Sequence, residues 1–144
     1  MEKTVVRTEA APAPFQGAPY NQAIRAGDLV FVAGQLGLKP GDKTVEGDIT
    51  QQTEQVMRNL TAILDAAASS LDQLVKTTVF LQSLEDFAAM NEVYSRHVGD
   101  RPTARSTVEV AKLPSGALVE IEAVALTRLD ASDSRRAEPG SVAR

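Results

Sequence analysis

Two segments in the last third of the chain carry residue types that could bind and transform a small acid. Arg105 lies in the run 102–110, whose alternation is typical of a β-strand and places Thr107 on the same face. The planar fork of an arginine can donate two parallel hydrogen bonds to a carboxylate. Glu120 and Glu122 lie two residues apart in a second strand-like run, so they also share a face. An arginine that anchors an acid and a carboxylate that handles protons together indicate a small-molecule site.

The composition excludes several other kinds of site. The chain has 144 residues with 43% hydrophobic and 24% charged residues, as expected for one globular domain. No cysteine is present and only one histidine, which excludes disulfides, cysteine nucleophiles, and thiolate or multi-histidine metal sites. A net charge of −4 and the absence of tryptophan argue against a nucleic-acid partner. No apolar run is long enough for a membrane span or a signal peptide, and the lack of cysteine fits a cytoplasmic protein.

The elements that must position these residues follow from hydrophobic periodicity and turn signals. The pattern predicts the order β-β-β-α-β-α-β-β. Asp48 with Gln51, and Ser83 with Asp86, resemble capping boxes at the starts of the two helices. The predicted elements are a hairpin of 22–25 with 29–34, a helix over 49–69, a strand over 74–82, a helix from 87 to about Gly99, and strands over 105–111 and 118–128.

This order predicts an α+β fold in which a β-sheet carries two amphipathic helices on one face. The opposite face would then be uncovered although it includes apolar residues. Burial of that face against other copies of the chain predicts a homo-oligomer. Residues 1–128 are expected to form a single domain. Residues 129–144 lack periodicity and are expected to form a disordered tail.

Several blocks of the sequence resemble one known family, the reactive intermediate deaminases of the RidA or YjgF type. The resemblance covers roughly residues 3–128, and the blocks agree in both order and spacing. They are APYNQA at 18–23, AGQ at 33–35, VKTTVFL at 75–81, DFAAMNEVY at 86–94, PTARSTVEV at 102–110, LP at 113–114 and VEIEA at 119–123.

The resemblance implies a chorismate-mutase-like fold with a mixed β-sheet, assembled as a homotrimer with sites in the clefts between subunits. It implies hydrolysis, without a cofactor or metal, of reactive enamines and imines such as 2-aminoacrylate to 2-keto acids and ammonia. The biological role would be metabolite damage control. By the same resemblance Arg105 binds the substrate carboxylate and Glu120 positions or activates water. Tyr20 and Asn91 line the cleft, and backbone groups of Thr107 contact the substrate.

The chain departs from the family pattern at two positions. Ala33 stands where the family often has serine, so a hydroxyl is missing from the expected substrate-binding pocket, and Ala18 stands where glycine is common. The change at Ala33 leaves a second reaction open, the deamination of a different unstable amino acid such as 2-aminomuconate. A third possibility is a trimeric ligand-binding or regulatory protein that binds keto acids through Arg105. Binding without turnover would distinguish this last function from the two enzymatic ones.

Overall fold

The computed structural model describes residues 1–127 and contains a six-stranded sheet with two α-helices in the predicted order. The expected tail, residues 129–144, lies outside the described residues. The strands are β1 (Lys3–Val6), β2 (Ala23–Ala26), β3 (Leu29–Leu36), β4 (Leu74–Leu81), β5 (Ala104–Glu109) and β6 (Val119–Leu126), and the helices are α1 (Ile49–Ala66) and α2 (Phe87–Val98).

The sheet is mixed, and its strand order places β5 at one edge. The order is β1-β2-β3-β6-β4-β5, in which only β4 and β5 pair in parallel. Helix α2 connects these two parallel strands, as a crossover connection requires. The strand that carries Arg105 therefore has one strand neighbour, β4, and the strand that carries Glu120 lies on the far side of β4.

Helix α1 begins as predicted and ends earlier than predicted. The Asp48 side chain accepts a hydrogen bond from the backbone N–H of Gln51, whose side chain bonds back to Asp48, so the capping box is confirmed. The helix ends at Ala66, because Ala68 adopts a left-handed conformation with φ of 58°. The Ser69 hydroxyl then donates to the carbonyl of Leu126 on β6.

The start of α2 corrects the second predicted capping box. Ser83 accepts a hydrogen bond from the N–H of Glu85 and opens a short 3₁₀ turn, Leu84–Asp86. The α-helix itself begins at Phe87, and Asp86 makes no side-chain cap hydrogen bond. At the other end, His97 lies with its Nε2 atom 3.0 Å from a carboxylate oxygen of Glu54 on α1. This contact ties the two helices together.

Both helices pack on one face of the sheet, which confirms that part of the prediction. The core between the helices and the sheet contains fully buried side chains from α1, such as Leu60 and Leu64, and from the strands, such as Val79 and Ile121. The other face is uncovered in the single chain. Among its exposed side chains are Val5, Phe31, Val108 and Leu126, each more than 40% exposed. No helix within residues 1–127 has the length and apolar character that crossing a membrane requires.

Strand β3 contains an irregularity that the sequence pattern did not predict. Val32 pairs with Ala123 and Gln35 pairs with Ile121, so β3 holds one more residue than β6 over this interval. The extra residue reverses the facing of the strand beyond the bulge. Val32 belongs to the helix-side core, whereas Leu36 packs in a second cluster, with Leu38, Leu113 and Ala117, on the other side of the sheet.

Candidate functional site

A loop before β2 forms one wall of a cavity, and a single buried glutamine holds this loop in place. The Gln22 amide donates to the carbonyls of Thr8, Ala11 and Pro12, and its oxygen accepts from the N–H of Thr8. Gln22 is 4% exposed. Because the loop is rich in proline, few of its own backbone groups can pair with each other. The side chain of Gln22 replaces those missing contacts.

The cavity has a volume of about 440 Å³ and is mainly apolar. Three of the predicted site residues line it together, namely Tyr20, Ala33 and Glu120. Tyr20 is 41% exposed, and its hydroxyl accepts a hydrogen bond from the N–H of Phe15. Among residues 1–127, Glu120 is the only charged residue in the lining, which otherwise includes Phe15, Leu36, Leu38 and Pro114. A cavity of this kind suits a small ligand with one position for proton transfer.

The environment of Glu120 favours its protonated form. Partial burial raises the pKa of this carboxyl above its usual value, and the nearby charge of Glu122 raises it further. A carboxyl with a raised pKa can both take up and release a proton closer to neutral pH. The side chain also lies against the backbone at the β3 bulge. A Cβ atom added at Gly34 would stand 2.4 Å from Oε2 of Glu120.

The other predicted site residues form a second group beside α2. Nη2 of Arg105 donates to Oδ1 of Asn91 at 2.7 Å. The guanidinium carbon also lies 4.8 Å from the centre of the Tyr94 ring and 5.7 Å from that of Phe87. Within residues 1–127, no carboxylate forms an ion pair with Arg105. The guanidinium therefore keeps donors for an acidic ligand.

Thr107 lies on the same face of β5 as Arg105, as the alternation predicted. It pairs with Val79 of β4 and is partly buried. Because β5 is an edge strand, some of its backbone groups point away from β4 and have no strand partner in the described chain. This position makes the backbone near Thr107 available to a ligand.

The structure does not bring these two groups of residues together within one chain. Arg105 faces the helices, since its register partner Thr77 is fully buried in that layer. Glu120 faces the uncovered side, since the next residue in the strand, Ile121, points into the core and successive side chains alternate between the faces. Strand β4 lies between their strands, which adds two strand spacings, or about 10 Å. The pair Tyr20 and Glu120 forms one half of the candidate site, and the pair Arg105 and Asn91 forms the other.

Some residues of this site were missed or interpreted differently from the sequence. Phe87 and Tyr94 were not identified as site residues from the sequence, yet both rings contact Arg105. Their spacing with Asn91 is i, i+4 and i+7, which puts all three on one helix face. That spacing was visible in the sequence, but the contact of this helix face with Arg105 was not. Within the described chain, no group of three or more His, Cys, Asp or Glu side chains could hold a metal ion.

Known proteins resemble this chain over most of its length. The family model described as Endoribonuclease L-PSP matches residues 8–127. A RutC family protein from Pyrococcus abyssi is 49% identical over 126 residues, which is 87% of this chain and 98% of that protein. The chloroplastic Reactive Intermediate Deaminase A of Arabidopsis thaliana is 45% identical over 126 residues, covering 87% of this chain and 66% of the relative.

Solved structures confirm the fold. The crystal structure of TdcF from E. coli with bound serine superposes with a TM-score of 0.81 at 34% sequence identity. The match covers 87% of this chain and 99% of that chain. The two-helix, mixed-sheet architecture is therefore shared with a protein that binds a small amino acid.

Proposed function

This chain belongs to the Endoribonuclease L-PSP family, the YjgF/RidA superfamily, and from that membership we propose that it hydrolyses reactive enamines and imines to 2-keto acids and ammonia. The observation that carries the proposal is the Glu120 carboxyl, half-buried at an apolar cavity and with a raised pKa. The name of the Arabidopsis relative supports the deamination of a reactive intermediate, and the serine bound to the E. coli relative supports a small amino acid derivative as the substrate.

The reaction requires a bound acid, a water molecule and a proton carrier. An enamine such as 2-aminoacrylate takes a proton from the solvent on its terminal carbon and becomes the iminium ion, which is the protonated imine. Water then adds to the iminium carbon while Glu120 removes a proton from the water. The resulting carbinolamine loses its nitrogen as ammonia when Glu120 returns that proton to the nitrogen, and the hydroxyl group releases its proton to the solvent as its oxygen becomes the keto oxygen. Arg105 holds the carboxylate next to the reacting carbon, so that carbon lies in a fixed position relative to Glu120.

The two halves of the site support an assembly in which neighbouring copies share each site. In a 2-imino acid the carboxylate is bonded directly to the imine carbon. Arg105 and Glu120 must therefore act within a few ångströms of each other, which their positions on opposite faces of the sheet prevent within one chain. The uncovered apolar face, with Phe31 and Val108, is suited to contact another copy. We infer a homotrimer with its sites between subunits.

Cleavage of RNA, which the name of the family model brings to mind, is disfavoured by the charges of this chain. The net charge is −4, and the one charged side chain that the described part of the chain places at the cavity is a glutamate. A polyanionic substrate is bound through lysine and arginine contacts with its phosphates. The cavity instead offers a carboxylate, whose negative charge would repel such a substrate.

A coupled assay tests the proposal. A pyridoxal-phosphate-dependent threonine dehydratase releases the imine, and the rate of keto acid formation is followed with and without this protein. We expect the wild type to accelerate keto acid formation. In Arg105→Ala we expect kcat/KM to fall about 10- to 100-fold, because the substrate carboxylate loses a charge-assisted hydrogen bond. Arg105→Lys keeps the charge and removes the fork. Arg101→Ala, an exposed arginine four residues away, is the matched control for charge.

The outcomes separate the alternatives. Acceleration by Arg105→Ala equal to that of the wild type would refute the assignment of the anchor. Saturable binding of a keto acid without turnover would indicate the ligand-binding or regulatory function. Turnover of 2-aminomuconate in preference to the threonine-derived imine, lost in Ala33→Ser, would indicate the specialised deaminase.

A further inference from the structure

Three side chains on one face of α2 contact Arg105. Phe87, Asn91 and Tyr94 follow the i, i+4, i+7 spacing, and each of the three contacts the guanidinium. Asn91 accepts one of the five N–H donors that an arginine carries, and the two rings offer their faces to the positive charge. The helix thus contacts the arginine without neutralising it.

Tyr94 differs from Phe87 in how firmly it is held. Phe87 is 41% exposed, whereas Tyr94 is 4% exposed and belongs to the core. The Tyr94 hydroxyl lies 2.6 Å from the hydroxyl of Thr77, which is itself fully buried on β4. Burial raises the pKa of the Tyr94 phenol by more than the Thr77 hydrogen bond and the Arg105 charge lower it. The neutral ring therefore attracts Arg105 through its face and forms no ion pair with it.

The sheet register links this hydroxyl pair to the arginine. Thr77 of β4 and Arg105 of β5 are direct partners in the parallel ladder, so their side chains stand side by side on the same face. The phenol of Tyr94 reaches Thr77 while its ring lies against Arg105. One side chain thereby fixes the distance between helix α2 and the edge strand at the position of the guanidinium.

We propose that Tyr94, held by Thr77, is a positioning residue that keeps the Arg105 guanidinium oriented to receive the substrate carboxylate before the substrate binds. This inference rests on the proposed function of Arg105. A long arginine side chain on an edge strand has many rotamers, and ordering it at the moment of binding would weaken affinity. The Tyr94 ring and Asn91 remove that cost in advance.

The test removes the hydroxyl pair and keeps the ring. Tyr94→Phe deletes one hydroxyl, and Thr77→Val deletes the other with little change of shape. We expect each to weaken the binding of pyruvate, measured by calorimetry, about three- to tenfold, the range of one hydrogen bond. The double variant should lose no more than either single one, because both remove the same interaction. Binding of pyruvamide, which lacks the carboxylate, should not change.

A matched control separates positioning from general destabilisation. Thr61→Val deletes a hydroxyl that bonds within α1, away from Arg105. It should leave pyruvate binding unchanged, and the thermal midpoint measured for every variant separates weaker binding from loss of stability. Equal pyruvate affinities in wild type, Tyr94→Phe and Thr77→Val would overturn the positioning role.

A direct reading of the guanidinium does not depend on any ligand. The Nε–H signal of Arg105 in a two-dimensional NMR spectrum, assigned by its disappearance in Arg105→Lys, reports on order and ring proximity. We expect it to broaden and shift in Tyr94→Phe and Thr77→Val and to stay fixed in Thr61→Val. An unchanged signal refutes the inference. A shifted signal in a protein that neither binds pyruvate nor turns over imines would support the geometry and refute the proposed function.

Discussion

Mixing two inactive variants tests whether each site draws on two copies of the chain. Arg105→Ala lacks the carboxylate anchor, and Glu120→Gln lacks the proton carrier. If the halves of a site come from different copies, some mixed oligomers regain a complete site where an intact Arg105 meets an intact Glu120. The prediction follows from their placement on opposite faces of the sheet, with β4 between their strands.

The expected recovery can be worked out from the pairing alone. At equal mixing, half of the copies offer an intact Arg105 and half offer an intact Glu120. The two choices are independent in a ring of subunits, so about one quarter of the sites are complete. This fraction does not depend on whether the ring holds two, three or more copies. The mixture should therefore show about one quarter of the wild-type rate per site.

The assay uses co-refolding from urea at equal concentrations, followed by the coupled dehydratase measurement. Native mass spectrometry, with a tag on one variant, verifies that mixed oligomers have formed. Each variant refolded alone is the control and should remain inactive. Confirmed mixed oligomers without any recovered activity would refute the reasoning, because they would show that Arg105 and Glu120 of the same chain serve one site.

Three further changes test the environment of the cavity. In Gly34→Ala the new Cβ would clash with Oε2 of Glu120 and displace the carboxylate, so we expect kcat to fall at least tenfold. The thermal midpoint should be nearly retained. An unchanged kcat would contradict the close approach of Glu120 to Gly34. Glu122→Gln removes a negative charge that raises the pKa of Glu120, so the acidic limb of the kcat/KM profile should move to lower pH. An acidic limb at the wild-type pH would count against Glu120 as the titrating group. In Gln22→Leu the loop over 8–12 loses four hydrogen bonds, and urea unfolding should show a loss of about 1–3 kcal/mol, with equal stability arguing against its role as the loop anchor.

The element order could be predicted because it depends on signals that are local in sequence. The α1 capping box needs only Asp48 and Gln51, which lie within one turn, and the facing of Arg105 needs only the alternation of its own strand. The end of α1 depends instead on a distant strand. Alanines at 66–68 favour helix by propensity, but Ser69 bonds to the carbonyl of Leu126, 57 residues away.

The chemistry of the candidate site was predictable by type and not by arrangement. A lone arginine on a strand indicated an anchor for an acid. The contact of Tyr94 with that arginine depends on how α2 crosses between β4 and β5, which no pattern within the helix specifies. Likewise the raised pKa of Glu120 depends on burial at a cavity that forms only when the loop before β2 closes over β3.

The extra residue in β3 has a consequence for how the gene can change. Up to Val32 the strand presents its even positions to the helix side, and beyond the bulge Gln35 takes that side while Leu36 joins the second cluster. Exchanging one amino acid for another at Ala33 leaves this switch in place, so substitution there can retune the pocket. Loss or gain of a single codon between Val32 and Gln35 would reverse every side chain that follows in the strand. We expect descendants of this gene to vary in residue type at Ala33, and to keep both Gly34 and the length of this segment.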